Sequence, residues 1–214
     1  ENALEQLFNI DGSIKRSNPD GHGVRDVAYV ESQSDDPTLL HAFYFKHNPE
    51  FACYELALNQ LSLLLFGESV FHDIVDVYHN GKWHLFLVSD SVPGRTLAQE
   101  LDWANDSLTE EAKRNLDKRL NIDPSSFARQ AIMAMLTHLK DQKPDNLILS
   151  KKESQARHYI SAIDGERAFV ADQAVGFLTK KSSIQSVIFC LDQMKDPIPE
   201  GVLSQIRRWK EIGK

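Results

Sequence analysis

The chain has 214 residues, of which 42% are hydrophobic and 26% are charged, which is typical of one ordinary globular unit of one or two lobes. Its formal net charge of -7 repels polyanions, so we expect no nucleic-acid partner. No apolar run reaches the length of a membrane span, about 18 residues, and the N-terminus has no signal-peptide pattern. We therefore expect no transmembrane segment. The chain begins with Glu1 rather than Met, which favours a processed or excised domain.

The cysteine and histidine content argues against a metal or disulfide framework. Cys53 and Cys190 are the two cysteines, and both lie in apolar runs that predict buried helix. They indicate neither a disulfide framework nor a metal knuckle, and they fit a reducing, cytoplasmic compartment. The eight histidines are scattered without metal-ligand spacing. No nucleophile elbow and no phosphate loop ending in Gly-Lys-Ser/Thr is present.

The first half of the chain predicts strands around one helix. Residues 11–23 are dense in turn-forming residues and predict a loop or tight hairpin. A helix is predicted from Asn48 to Gly67, where apolar residues recur near the helical period. Asn80-Gly81 between two alternating segments is typical of a hairpin turn. The four predicted strands, rich in β-branched and aromatic residues, are 24–32, 39–46, 70–78 and 82–89.

The second half predicts mainly helix. The predicted helices, which follow apolar residues at helical spacing, are 97–103, 108–120, 124–139, 181–194 and 201–212. Two short strands are predicted at 159–163 and 168–170. Strands followed by helices predict an α+β chain in two lobes, with the link between the lobes near residues 89–94.

A polar cluster of the form Asp-x-Lys-Pro-x-Asn lies in residues 139–149, before an aliphatic strand. A base, a cation and a metal ligand at this spacing suit a loop that faces a cleft, although a Pro-containing turn capped by Asp and Asn is the alternative. The cluster resembles the catalytic loop of the protein kinases. This resemblance implies that Asp141 accepts or orients the proton of the attacking hydroxyl, that Lys143 neutralises the moving phosphoryl group, and that Asn146 binds Mg²⁺. Leu139-Lys140 replaces the usual His-Arg, so we do not expect regulation by loop phosphorylation.

Two further segments resemble elements of the same family. Asp164-Gly165 follows a short apolar strand and resembles the metal-binding Asp-Phe-Gly element without its Phe, although a lone Asp-Gly is more often a turn. By this resemblance Asp164 is a second Mg²⁺ ligand. Lys46 ends an apolar strand and resembles the strand lysine that contacts ATP phosphates, the alternative being an exposed strand-end lysine. Glu55 is the leading carboxylate to pair with it, and the alternatives are Glu50 and Glu68.

The remaining parts of a nucleotide site are assigned by position. Gly21 and Gly23 fall where the family has the glycine loop that covers the phosphates. Ser89, Asp90 and Ser91 lie where the interlobe hinge contacts adenine. The resemblance covers roughly residues 10 to 170. It is strengthened by the order of the elements, because each weak element occupies the place that the stronger one predicts.

The resemblance implies a bilobal protein-kinase-like fold with a small β-rich N-lobe (1–89), a hinge (90–94) and a reduced helical C-lobe (95–214). We find no Ala-Pro-Glu-like element after Asp164, so a full activation segment is not expected. This departure is similar to the atypical members: phosphoinositide kinases, HipA-type bacterial kinases and minimal kinases among bacterial effectors. For an effector, the compartment would be the host cytosol.

The resemblance implies an enzyme that binds ATP and Mg²⁺ between two lobes and transfers the γ-phosphoryl group to a protein Ser, Thr or Tyr hydroxyl or to a lipid or inositol head group. One alternative is a pseudokinase that binds a nucleotide or a partner without turnover. Another is an adenylyl- or glutamyl-transferase built on the same fold. The oligomeric state cannot be predicted from the sequence.

Overall fold

The computed structural model describes residues 14–16, 27–31, 42–101, 120–151, 156–169 and 185–212. The chain forms two compact units: unit 1 consists of Glu1–Asn59 and Val70–Ser91, and unit 2 of Gln60–Ser69 and Val92–Lys214. The predicted α+β class is confirmed, with an antiparallel sheet in the N-terminal part and a helical part after it. The boundaries of the lobes and hinge stay a prediction.

Unit 1 is built on one five-stranded antiparallel sheet with strand order β1-β2-β3-β5-β4. Its strands are β1 Ile14–Arg16, β2 Val27–Glu31, β3 Ala42–His47, β4 His72–His79 and β5 Lys82–Asp90. The four predicted strands are thus confirmed as β2 to β5, and the hairpin predicted at Asn80-Gly81 joins β4 and β5. Asn80 (φ 49°) and Gly81 (φ 77°) form the tight turn between β4 and β5 in left-handed backbone, which is why the Asn-Gly pair is favoured there. Ala28 and Phe86 are buried at the centre of this sheet, against Phe45 and Val77.

Helix α1, Ala52–Phe66, follows β3 and confirms the predicted helix. It ends because Gly67 adopts a left-handed φ of 73° and donates its N–H to the Leu63 carbonyl at 2.8 Å, a helix stop that glycine suits. Cys53 in its first turn is exposed, so the prediction that this cysteine is buried was wrong. The apolar residues around Cys53 suggested burial, but its position on the helix turns it outward.

Unit 2 combines helices with a three-stranded antiparallel sheet of order β6-β7-β8. Its strands and α-helices are β6 Arg95–Thr96, α2 Leu97–Leu101, α3 Pro124–Thr137, β7 Leu147–Lys151, β8 His158–Ala162 and α4 Glu200–Ile212. Asp123 caps α3 by accepting the Ser126 N–H at 2.8 Å, and Pro124 occupies the first turn, where it is tolerated. No helix in these described ranges is long and apolar enough to cross a bilayer.

The C-terminal end of α1 is fixed inside unit 2 by side chains of α3 and α4. The Trp209 indole N–H donates to the Leu65 carbonyl at 3.1 Å and the Gln205 amide to the Phe66 carbonyl at 3.4 Å. These bonds satisfy carbonyls that a helix end otherwise leaves without intrahelical partners. Arg129 of α3 pairs with Glu68 at 2.5 Å and lies over the Phe66 ring.

Two predicted elements of unit 2 were wrong. The predicted helix 181–194 is, over its described residues, a pair of short 3₁₀ turns, Val187–Cys190 and Asp192–Lys195. Leu191 between them has extended backbone (φ -78°, ψ 145°), which interrupts a continuous helix. Cys190 is exposed, so its predicted burial was also wrong. The turn places Ile188, not Cys190, in the core.

The short strand predicted at 168–170 is also corrected. Ala168 and Phe169 lie in a turn, closed by a bond from the Ala168 N–H to the Gly165 carbonyl at 2.9 Å. Phe169 has a left-handed φ of 59°, which no strand residue adopts. Val170 and predicted helix residues 102–103, 108–119 and 181–184 lie outside the described residues.

Gly94 provides a direct test of the packing in unit 2. Its φ is 146°, and a Cβ at this position would lie 2.4 Å from the Leu149 carbonyl oxygen. We expect Gly94→Ala to lower the free energy of unfolding by roughly 3 kcal/mol, from backbone strain and overpacking. Gly201→Ala is the matched control, because nothing lies within 4 Å of its added Cβ. Equal urea midpoints for the two variants would contradict this description.

Candidate functional site

In unit 1, a strand lysine, a helix carboxylate and a histidine form a connected polar network. Lys46 Nζ lies 2.8 Å from Glu55 Oε2, and His72 Nε2 lies 3.1 Å from the other oxygen, Oε1. The side chains of Lys46, Glu55 and His72 are 16%, 3% and 7% exposed. The carboxylate is therefore almost fully withdrawn from water and has a separate partner on each oxygen.

The elements explain how these residues meet. Lys46 is near the end of the paired strand β3, Glu55 is in the first turn of α1, and His72 begins β4. The sequence predicted the pairing of Lys46 with Glu55, which lie nine residues apart. It did not predict the contact with His72, and Glu68, one of the alternative carboxylates, instead pairs with Arg129.

The outer side of His72 is also occupied. Its Nδ1 lies 3.0 Å from the side-chain amide Nδ2 of Asn59 and 2.9 Å from the carbonyl oxygen of Val70. Asn59 is buried on α1, one helical turn after Glu55, so both residues face the same side of the helix. The imidazole is thus held from both of its nitrogens.

The environment of Glu55 favours its charged form. Burial raises the pKa of this carboxyl, but the hydrogen bond from His72 and the positive charge of Lys46 lower it by more, so the pKa lies below its ordinary value. A buried carboxylate is costly unless it is paired and hydrogen-bonded. This site meets both conditions.

This pKa shift predicts a specific dependence of stability on pH. A carboxyl whose pKa is depressed by folding stabilises the protein above its unfolded pKa, and that contribution is lost as the pH falls through the folded value. We therefore expect the free energy of unfolding to decrease as the pH falls below 4.5, the ordinary pKa of a glutamate carboxyl. This decrease should be less steep in Glu55→Gln. Urea titrations between about pH 3 and pH 7 measure both slopes. Identical slopes would contradict the assignment.

In unit 2, the polar cluster of residues 141–146 forms a closed loop between α3 and β7. The Asn146 side-chain Nδ2 donates to the Asp141 carbonyl at 2.9 Å, and the Asn146 N–H donates to the Lys143 carbonyl at 2.9 Å. Asn146 is buried, whereas Asp141 and Lys143 are exposed. The loop thus uses the donor end of the Asn146 amide internally, and its Oδ1 accepts no hydrogen bond from the residues described.

Asp164 is close to this loop because of the register of the β7–β8 hairpin. Leu147 pairs with Ala162, so Asn146 and Asp164 are at the same end of the hairpin. The Ile163 N–H extends the pairing by donating to the Asn146 carbonyl at 2.9 Å. Asp164 has a left-handed φ of 59° and is half-buried.

Gln142 anchors the loop and was not singled out from the sequence. It is buried between the exposed Asp141 and Lys143, an alternation typical of a strand. Its N–H donates to the Gln185 carbonyl at 3.0 Å, its carbonyl accepts from Val187 at 2.9 Å, and its side-chain oxygen accepts from the Ser186 hydroxyl. The buried Gln142 thereby fixes the backbone of the loop, with Asp141 and Lys143 facing outward on either side.

The remaining predicted site residues are placed as follows. Ser89 and Asp90 end β5 and Ser91 follows it. The N–H groups of Asp90 and Ser91 donate to the carbonyls of Phe71 and Ala42. The contact of these three residues with adenine stays a prediction. Gly21 and Gly23 lie outside the described residues. Lys46 and Glu55 belong to unit 1, and Asp141, Lys143, Asn146 and Asp164 to unit 2.

No protein-family model matches the chain, and no curated protein does. One similar solved structure is "WaaP in complex with acyl carrier protein", with a TM-score of 0.45 and 16% sequence identity, covering 99% of this chain and 92% of that chain.

Proposed function

We propose that this protein is an ATP- and Mg²⁺-dependent phosphotransferase. It moves the γ-phosphoryl group to a protein Ser, Thr or Tyr hydroxyl or to a lipid or inositol head group. The observation that carries the proposal is the ion pair of 2.8 Å between Lys46 and Glu55. A buried helix carboxylate that holds a strand lysine is the device by which kinases orient that lysine toward nucleotide phosphates.

The loop of unit 2 supports the same chemistry. Asp141 is exposed, so its carboxylate can take a proton from an acceptor hydroxyl, as a general base requires. Lys143 is also exposed and provides a cation two positions away for the developing charge on the phosphoryl group. The buried Gln142 keeps both side chains on the outer side of the loop.

The oxygen atoms beside this loop fit magnesium. Mg²⁺ prefers one or two protein oxygens and otherwise binds substrate phosphates and water. The Oδ1 of Asn146 and the carboxylate of Asp164, at the same end of the β7–β8 hairpin, offer such a set of ligands. When bound, the ion would neutralise charge on the phosphates. We assign both residues as its ligands.

The test uses ATP labelled separately at the α and γ phosphorus, with Mg²⁺ or with EDTA. Three acceptors are offered: the protein itself, a casein-type protein and vesicles that contain phosphatidylinositol. We expect Mg²⁺-dependent transfer of the γ label to at least one of them, and no transfer of the α label.

Two other results would reject the proposal in favour of a stated alternative. Transfer of the α label would indicate an adenylyltransferase. Thermal stabilisation by Mg²⁺ and ATP without transfer of either label would indicate a nucleotide-binding module. Glutamyl transfer is tested by adding labelled glutamate with unlabelled ATP.

A further inference from the structure

A histidine that the kinase resemblance does not include is built into the network around Lys46. We propose that His72 is a positioning residue, which fixes the Glu55 carboxylate so that one oxygen is always directed at Lys46. Asn59 and Val70 in turn fix the orientation of the His72 ring. This inference rests on the proposed function for its consequence in ATP binding, but not for its geometry.

The first step is the division of the carboxylate oxygens. Glu55 Oε2 contacts Lys46 at 2.8 Å, and Oε1 contacts His72 at 3.1 Å. A carboxylate can rotate about its terminal torsion, which is broad and roughly two-fold. Because each oxygen has its own donor, that rotation would break two interactions in a site where Glu55 is only 3% exposed. An unsatisfied buried oxygen is costly, so the carboxylate plane is fixed.

The second step concerns the proton on His72. Its Nδ1 has a donor nearby, the Asn59 Nδ2 at 3.0 Å, and an acceptor, the Val70 carbonyl at 2.9 Å. A neutral ring that carries its proton on Nε2 accepts from Asn59, and a charged ring donates to Val70. Both forms keep an Nε2–H directed at Glu55. Only the neutral form with its proton on Nδ1 would place a lone pair against the carboxylate, and that form could not accept from Asn59.

The consequence lies with Lys46. Its ammonium has three donors on a flexible stem, so a fixed carboxylate restricts where the remaining donors point. In the proposed enzyme these donors meet the ATP phosphates. Loss of the His72 contact should therefore raise the KM for ATP and leave the KM for the acceptor unchanged.

A matched pair of variants separates the contact from general packing. The Gln amide in His72→Gln places a donor near the original Nε2, whereas the shorter amide in His72→Asn reaches only the Nδ1 side, toward Asn59 and Val70. We expect His72→Asn to raise the KM for ATP roughly tenfold, the worth of one hydrogen bond to a charged group. The KM for the acceptor should not change. His72→Gln should restore the KM for ATP to within about threefold of the wild-type value.

Two NMR measurements test the inference without any turnover. In the wild-type protein, ¹⁵N spectra of His72 should show a proton on Nε2, in the neutral or the charged ring. The ¹³C titration of the Glu55 carboxyl should move to higher pH in His72→Asn and remain near the wild-type value in His72→Gln.

The outcomes distinguish this inference from the proposed function. A neutral His72 with its proton on Nδ1, or a Glu55 titration that is the same in all three proteins, would overturn the role of His72. A wild-type protein that transfers no phosphoryl group would reject the proposed function and leave the NMR results to decide the positioning role. Equal rises of both KM values in the two variants would indicate packing alone and overturn it.

Discussion

Asp141→Asn should lower the rate of phosphoryl transfer by about 10³-fold, while ATP binding with Mg²⁺ stays within about twofold of wild type. The amide cannot accept the proton of an attacking hydroxyl, and general-base catalysis is typically worth 10²- to 10⁴-fold. The fold should survive, because Asp141 is exposed and its left-handed φ of 69° is one that asparagine also adopts. Asn146 bonds to the backbone carbonyl of Asp141, which the substitution retains.

The control for this variant is Asp145→Asn in the same loop. Asp145 is also exposed, so the two substitutions remove the same charge at nearly the same place. We expect Asp145→Asn to transfer phosphoryl groups at close to the wild-type rate. Transfer from γ-labelled ATP measures the rates, and calorimetry measures the binding. An Asp141→Asn protein with the wild-type rate would show that another group accepts the proton.

Lys46→Met should weaken ATP binding by roughly 10- to 100-fold and also destabilise the protein. The affinity falls because the phosphates lose a charge-assisted donor. The stability falls because Glu55 remains buried with, among the described residues, His72 as its remaining hydrogen-bond partner. Removing one member of a buried pair costs about 3 kcal/mol or more. Lys46 is 16% exposed, so we expect the low end of that range.

The matched control for Lys46 is Lys82→Met. Lys82 begins β5 and is exposed, so its loss should change neither property beyond about 0.5 kcal/mol. In the double variant Lys46→Met/Glu55→Gln the uncompensated charge is absent, so it should regain part of the lost stability. Urea unfolding and calorimetric titration with ATP provide the measurements. Equal losses of affinity in the two lysine variants would remove Lys46 from the site.

Local signals predicted much of unit 1 from the sequence. Asn80-Gly81 fixes the β4–β5 hairpin because both residues tolerate left-handed backbone. The helix between Ala52 and Phe66 follows from apolar spacing and the stop at Gly67. The pairing of Lys46 with Glu55 followed from the resemblance to the strand lysine and helix carboxylate of the kinases, not from a local pattern.

Contacts between distant segments were not predictable. His72 is 17 residues from Glu55, and Ser186 is 44 residues from Gln142, so no local pattern connects either pair. A buried histidine at a strand start looks the same in sequence as an exposed one. The prediction of a helix around Leu191 was wrong for a related reason. Apolar composition indicated a helix, whereas the segment forms 3₁₀ turns next to Ser186, which is bonded to the distant Gln142.

The central proposal is that Lys46, Asp141, Asn146 and Asp164 serve phosphoryl transfer from Mg²⁺–ATP. Mn²⁺ can replace Mg²⁺ in such sites, and its unpaired electrons broaden nearby NMR signals. In a protein with ¹³C-methylated lysines and ¹⁵N-labelled asparagine, Mn²⁺ with ATP should broaden the Lys46 methyl and Asn146 amide signals together, at the same metal concentration. Broadening of one signal without the other, or of neither when ATP is present, would contradict the account.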